Sequence, residues 1–323
     1  MRICFPSHLA LLRISVISLL FTFVCIIFMR LTTAMSVSKQ DFVIAGLPVH
    51  VFSERQWTER SGPVAILFFM HGRTGTAKGI QWVAEDALKR VAEHRKKNKS
   101  ATDLIVVTFD QRNHGDRLID SHANGAWKKG NNERHAIDMY AIQTGTAKDV
   151  SYLIDFLPSY LFPKNERQIT QWLVAGKSLG GHSTWIALTH EPRLSLAVPI
   201  IACPDYMKLI TKRAKYSGVS LTPPWFPDSL REYIERNDPA RAPYTSPDTS
   251  NPFFSKKILV LSGGDDPLVP FVHSKEFVEN LNVGQKGVKK VIVSPGVGHE
   301  CTPEMVKEMA DFIWEHALTA SMV

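Results

Sequence analysis

With 323 residues, 44% of them hydrophobic, and neither a repeat period nor a low-complexity tract, the chain has the make-up of an ordinary globular protein with a sizeable core. This excludes solenoid and fibrous classes, and the length suits one large α/β domain or two small ones. The formal charge of +7 falls to +4 once Arg2, Arg13 and Arg30 are set aside, and the densest basic run, Arg95-Lys96-Lys97-Asn98-Lys99, follows a helical segment with no interleaved aromatics. It reads as a solvated helix end, so nucleic acid is not an expected partner.

Residues 14 to 29 form an apolar stretch broken only by serine and threonine and flanked by Arg13 and Arg30. The run is shorter than the roughly 20 residues that span a bilayer comfortably. Three readings stand: a signal peptide cleaved near Thr32 and Ala34, a short anchor giving membrane association through residues 14–29, or an extension upstream of a start at Met35. The first two imply a secretory or membrane-anchored protein, the third a cytoplasmic one. Residues 1–34 are set apart from the fold, leaving 35–323 as the expected domain. Of four cysteines, Cys4 and Cys25 lie in this leader; Cys203 and Cys301 alone make no disulfide framework and mildly favour a reducing compartment. Asn98-Lys99-Ser100 matches a glycosylation sequon, as isolated triplets do by chance.

From Met35 onward, Phe42 to Phe52 suggests two strands turning around Gly46-Leu47-Pro48, and Ala65 to Met70 a buried third. Ile80 to His94 carries apolar residues at helical spacing, Asp103 to Phe109 is a strand, and Ala147 to Leu157 a second helix. Trp172 to Ala175 is a buried strand leading into a glycine cluster and a helix. Strands at Leu196 to Ala202, Ile258 to Leu261 and Val288 to Val293 follow, and Thr302-Pro303 starts a closing helix as N-cap and N1. Alternation of this kind means an α/β fold with a mainly parallel sheet covered on both faces. Two stretches interrupt it: the polar, irregular Gly115 to Ala136, and the insertion from Pro204 to Ser255, rich in proline and aromatics. Long irregular segments in compact domains tend to be functional or disordered, and the apolar bulk of the second suggests a cap over a site, or else a surface insertion with its own small core.

Gly176-Lys177-Ser178-Leu179-Gly180 fits G-x-S-x-G directly after a buried strand. A serine on so sharp a strand-to-helix turn sits in a strained conformation, and side chains two before and two after it would collide. A nucleotide-binding loop would need glycine where Gln171 stands, which sets that reading aside. Read blandly, the cluster is a turn without chemistry. A serine nucleophile also needs a base, and an acid to hold the base in the right tautomer. Of twelve histidines, only His299 lies in a glycine-rich loop after the last strand; His94 and His190 read as helix-surface residues. For the acid, Asp266 in the loop after Ile258 to Leu261 leads, with Asp265 and then Asp205 as alternatives. The oxyanion requires two backbone donors: the amide of Leu179, and that of Arg73 in His71-Gly72-Arg73, directly after the third strand.

Taken together, His71-Gly72-Arg73, Asp110-Gln111-Arg112-Asn113-His114-Gly115, Gly176-x-Ser178-x-Gly180, Asp266-Pro267-Leu268-Val269-Pro270 and Gly298-His299 resemble the α/β-hydrolase superfamily. The chain is most similar there to single-domain serine esterases related to dienelactone hydrolases and to the catalytic domains of prolyl-oligopeptidase-like enzymes, over most of residues 40–318. The resemblance implies Ser178 as nucleophile, Asp266 as acid, His299 as base and Arg73 and Leu179 as oxyanion donors, and Asp110 to Gly115 is given a structural role in shaping the pocket floor. Lys177 departs from many relatives. A seven-bladed propeller of roughly 40 residues per blade would consume the chain, which favours small esters over peptides.

The expectation is a serine hydrolase that cleaves a small carboxylic ester through an acyl-enzyme, with no cofactor and no metal, since no cluster has ligand spacing. An amidase, peptidase or thioesterase with the same three residues is the alternative, and a non-catalytic ligand-binding module on a hydrolase scaffold the alternative of another class. Oligomeric state is not legible in the sequence.

Overall fold

A computed structural model describes residues 37–54, 61–97 and 102–319; the leader and the Asn98-Lys99-Ser100 triplet lie outside the described residues. The strands are β1 (Ser38–Ile44), β2 (Leu47–Ser53), β3 (Val64–Met70), β4 (Asp103–Phe109), β5 (Ile169–Lys177), β6 (Leu194–Ile200), β7 (Lys257–Gly263) and β8 (Val288–Ser294). They form one sheet in the order β1-β2-β4-β3-β5-β6-β7-β8. The pairs β1–β2 and β2–β4 are antiparallel, and every pair from β4 through β8 is parallel. This is the α/β-hydrolase fold. The helices are α1 (Gln81–Arg95), α2 (His135–Leu161), α3 (Leu179–His190), α4 (Tyr206–Ser217), α5 (Asp228–Asn237), α6 (Val272–Asn280) and α7 (Pro303–Ile313). Among the described residues, no helix is long and apolar enough to cross a membrane.

The central strand β3, VAILFFM, is buried at every position, because helices cover both faces of the sheet and no residue is left to face water. At the antiparallel edge, Ala45 (φ 48°) and Gly46 (φ 82°) make the two-residue hairpin turn between β1 and β2. Leu47 and Pro48, expected in that turn, instead begin β2. The larger correction concerns the second helix, which runs from His135 to Leu161 rather than only from Ala147 to Leu157. Most of its first half, from Met139 through Ala147, is buried, Gln143, Thr144 and Thr146 included. A helix wrapped on all sides has no apolar stripe to betray its period. At the other end, Thr302 Oγ1 accepts the Met305 amide ahead of Pro303, and α7 starts where those two residues direct.

Residues 204–255 contribute α4 and α5, and their apolar side chains enter the main core. Tyr206, Ile210, Ala214, Phe226, Ile234 and Phe253 pack in one cluster with Trp185 of α3. Phe253 meets the Trp185 ring edge to face at 6.1 Å. The Tyr206 hydroxyl donates to the Ala136 carbonyl at 2.6 Å, joining α4 to the start of α2. The insertion thus shares the core of the body.

Candidate active site

Strand β5 ends at Lys177, and Ser178 follows with φ 53° and ψ −114°, outside the conformations that a serine ordinarily adopts. Such strain persists only where the surroundings over-determine it. Here they do, because α3 is drawn hard against the strand ends. A Cβ on Gly180 would lie 2.4 Å from the Met70 carbonyl oxygen, and one on Gly176 would lie 2.5 Å from that of Gly180. The Gly180 amide donates to the His71 carbonyl at 3.0 Å, which seats the first turn of α3 on the loop after β3.

The structure brings Ser178, His299 and Asp266 together. The Ser178 hydroxyl donates to His299 Nε2 at 2.7 Å, and His299 Nδ1–H donates to Asp266 Oδ2 at 2.7 Å. The other carboxylate oxygen, Oδ1, accepts the amides of Leu268 and Val269, each at 2.9 Å. Burial opposes the ionised form of Asp266, but the imidazole and these two amides outweigh it and hold the carboxyl below its ordinary range. Asp265, the neighbouring alternative, is exposed and its amide donates to the Val297 carbonyl. Asp205, the third, caps α4 by accepting the Lys208 amide. The loops carrying Asp266 and His299 touch because β7 ends in Gly263, where a Cβ would lie 2.3 Å from the Gly298 carbonyl oxygen. That glycine had an intelligible signal in the sequence, Gly263-Gly264 before Asp265-Asp266, but its partner loop is distant along the chain.

On the other side of Ser178, a Cβ on Gly72 would sit 3.5 Å from the Ser178 Cβ, so the backbone at 72–73 passes directly beside the hydroxyl. The amides of Arg73 and Leu179 have no acceptor among the described residues. His71 is entirely buried. Its Nδ1–H donates to the Gly72 carbonyl at 2.7 Å and its Nε2 accepts the Gln111 amide at 3.0 Å. Burial pushes its pKa down to about 4, so this imidazole is neutral and serves as a fixed strut. The Gln111 side-chain amide donates to the His71 carbonyl as well.

The loop from Asp110 to Arg117 braces this segment. Asp110 accepts the amides of Ala77 and Asp116 at 2.7 and 2.8 Å. Gly115, at φ 54°, passes so near that a Cβ there would fall 2.1 Å from Asp110 Oδ2. Arg112 and Arg117 both grip Asp149 of α2 at 2.8 Å. Sequence reasoning gave Asp110 to Gly115 a structural role in shaping the pocket floor; through Gln111 and His71 the loop holds the turn containing Arg73. A further residue it missed is His182, one turn past Ser178, whose Nδ1 lies 3.0 Å from the Cys203 carbonyl oxygen and 3.1 Å from its amide nitrogen. Burial holds that ring at about 3, hence neutral, while it locks α3 to the start of the insertion. His94 is tied to Asp311 at 2.6 Å and His190 donates to the Asn237 carbonyl at 2.9 Å, both away from Ser178. Among the described residues, no group of three or more His, Cys, Asp or Glu side chains is placed to hold a metal ion, and Cys203 and Cys301 are free.

The fold has many solved counterparts. The chain superimposes on TT1662 from Thermus thermophilus with a TM-score of 0.62 at 20% identity, covering 89% of this chain and 100% of that one. Est1E from Butyrivibrio proteoclasticus, solved with ferulic acid bound, gives 0.52 at 17% identity, with 86% and 98% covered. The acylaminoacyl peptidase of Pyrococcus horikoshii gives 0.55 at 11% identity, covering 90% of this chain and 43% of that protein. No curated protein matches the chain in sequence. The sequence profile of the prolyl oligopeptidase family, however, matches residues 142–319, which include the elbow, both loops beyond β7 and β8, and more than half of the chain. The chain therefore belongs to the prolyl oligopeptidase family and is a serine hydrolase of the α/β-hydrolase fold.

Proposed function

We propose that the protein cleaves small carboxylic esters through an acyl-enzyme formed on Ser178. The observation that carries this reading is the pair of 2.7 Å hydrogen bonds linking Ser178 to His299 and His299 to Asp266. In the first half-reaction Ser178 Oγ attacks the acyl carbonyl carbon while its proton passes to His299 Nε2. Asp266 stabilises the resulting imidazolium through Nδ1–H, and the backbone amides of Arg73 and Leu179 receive the developing oxyanion. The imidazolium then protonates the departing alkoxide. Water repeats the sequence in the second half-reaction, giving its proton to His299, adding to the acyl carbon and releasing Ser178. Residues 35–323 are in this reading the hydrolase domain, with the insertion at about 204–255 as a cap beside the site.

Ser178→Ala should lower turnover of a p-nitrophenyl ester about a million-fold, with the fold intact by circular dichroism. A fluorophosphonate should label the wild type and not the variant. Turnover unchanged in Ser178→Ala would end the proposal, and failure to label well-folded wild type would favour a non-catalytic binding module. Cleavage of amides or peptides is the second reading, favoured by the family to which residues 142–319 belong. A panel of acyl esters, thioesters and aminoacyl amides separates the two, with selective amide cleavage displacing the ester reading.

A further inference from the structure

Every described arginine except two has a hydrogen-bond or ion-pair partner for its guanidinium. The two are Arg73 and Arg213, and neither has an acceptor for its guanidinium among the described residues. They come from separate elements, the loop after β3 and α4, and the charge of Arg213 is felt at Arg73, at Asp266 and at His182 one turn past Ser178. Arg73 follows Gly72 in the loop packed against the hydroxyl and is exposed at the mouth of the site. Arg213 lies on α4, and its place there is unusual for a charge. Tyr206, Leu209 and Ile210 are buried, and Arg213 falls seven, four and three residues after them, on the same inward face of the helix. It is half-buried on that face. Lys177, the residue before Ser178, adds a third cation with no ion pair among the described residues; its Cε lies 3.6 Å from where a Gly72 Cβ would be.

The carboxylates that could neutralise Arg213 are already engaged. Asp266 is held by His299 and two amides. Asp205 caps α4 and lies 3.7 Å from Lys208. Asp238 accepts the amides of Tyr206 and Ala240 at 3.0 Å each. The Tyr206 hydroxyl is spent on the Ala136 carbonyl. Burial, together with the nearby charge of Arg73, lowers the guanidinium of Arg213 from its ordinary value, while Tyr206, Cys203 and Asp266 pull the other way. The charges of both arginines oppose protonation of His135 at the start of α2, and that of Arg213 does the same at His182 in the first turn of α3. Two like charges near enough to act on one another, one of them half-buried and neither with an ion-pair partner among the described residues, are a standing cost that a bound anion removes. A planar, forked donor such as guanidinium is suited to a carboxylate in particular.

We infer that this site selects substrates carrying a carboxylate, on the acyl chain or on the leaving group, which Arg213 binds from the inner face of α4 with the Arg73 side chain at the mouth. The inference rests on the serine-hydrolase reading above and names its substrate class. Two matched pairs test it: p-nitrophenyl hemiglutarate against p-nitrophenyl valerate for an acyl-side carboxylate, and para-carboxyphenyl butyrate against para-carbamoylphenyl butyrate for one on the leaving group. In one of these pairs the wild type should favour the anionic member about 10- to 100-fold in kcat/KM, mostly through KM, the range expected of a charge-assisted hydrogen bond. Arg213→Gln should collapse that ratio toward one and Arg213→Lys should retain part of it, both in protein shown to be folded by circular dichroism. A wild-type ratio near one in both pairs, or a ratio that Arg213→Gln leaves unchanged, overturns the inference while hydrolysis of the neutral esters leaves the catalytic proposal standing. If no ester is turned over, the catalytic proposal falls and titration calorimetry still decides this one. Glutarate should bind Ser178→Ala and not Ser178→Ala/Arg213→Gln, and absence of binding to the first would overturn the carboxylate site.

Discussion

Replacing Asp266 by asparagine separates the charge of the acid from its hydrogen-bond geometry. The asparagine carbonyl oxygen can keep the amides of Leu268 and Val269, which lie 2.9 Å from Asp266 Oδ1, so the loop and the fold should survive. The new NH2 group then faces His299 Nδ1, where Oδ2 accepted at 2.7 Å. Donor against donor is untenable, and the imidazole responds by carrying its proton on Nε2. In the proposed mechanism that nitrogen, 2.7 Å from the Ser178 hydroxyl, takes its proton, so the base would be disabled. The magnitude discriminates between explanations. Loss of one charge-assisted hydrogen bond, about 1.5–3 kcal/mol, would slow the reaction only about 10- to 160-fold. The wrong tautomer should cost about 10⁴ in kcat, roughly 5.5 kcal/mol. Steady-state hydrolysis of p-nitrophenyl acetate, with a melting curve on the same sample, measures both quantities. A kcat within about 100-fold of wild type in fully folded Asp266→Asn would refute the tautomer argument.

Gly180→Ala should destabilise the fold by about 1–3 kcal/mol and depress turnover, because the added Cβ would lie 2.4 and 2.6 Å from the carbonyl oxygens of Met70 and His71. Gly46→Ala, at φ 82° with nothing within 4 Å of the new Cβ, should cost only the backbone term, about 1–2 kcal/mol, and leave turnover alone. Equal effects of the two on turnover, read beside melting temperatures, would contradict this. Asp311 is opposed by burial, yet its bonds to Arg90 at 2.7 Å and His94 at 2.6 Å bring its pKa to about 2. Because the folded value lies below the unfolded one, this stabilisation is present above about pH 4 and is lost as pH falls toward 2. Asp311→Asn should therefore lose about 1–2 kcal/mol near neutrality, allowing for partial exposure, with the gap in melting temperature closing near pH 2. A gap that persists unchanged at that pH would count against the assignment.

Strand and helix order was legible wherever a segment meets water on one side or none for a short run, because alternation and glycine punctuation are local signals. It failed in the first half of α2, where burial on all sides erases the period, and at Leu47-Pro48, where the hairpin closes one residue earlier than glycine placement alone suggests. The same division runs through the candidate site. Ser178, the loop after β7, the loop after β8 and the turn after β3 are each marked by local composition.

Choosing among acids was beyond composition. Asp265 and Asp266 are adjacent, and only the contact of the Gly263 end of β7 with the Gly298 loop turns one toward the imidazole and leaves the other in water. Nor does the sequence show that Asp110 to Arg117 holds the turn at His71, or that Arg213 alone among the inward residues of α4 carries a charge without a partner. Sequence by itself determined which local geometries each segment prefers, because those preferences are short-range. Only the tertiary structure decided which side chains meet, because Ser178 and His299 stand 121 positions apart and the packing between them sets their separation at 2.7 Å.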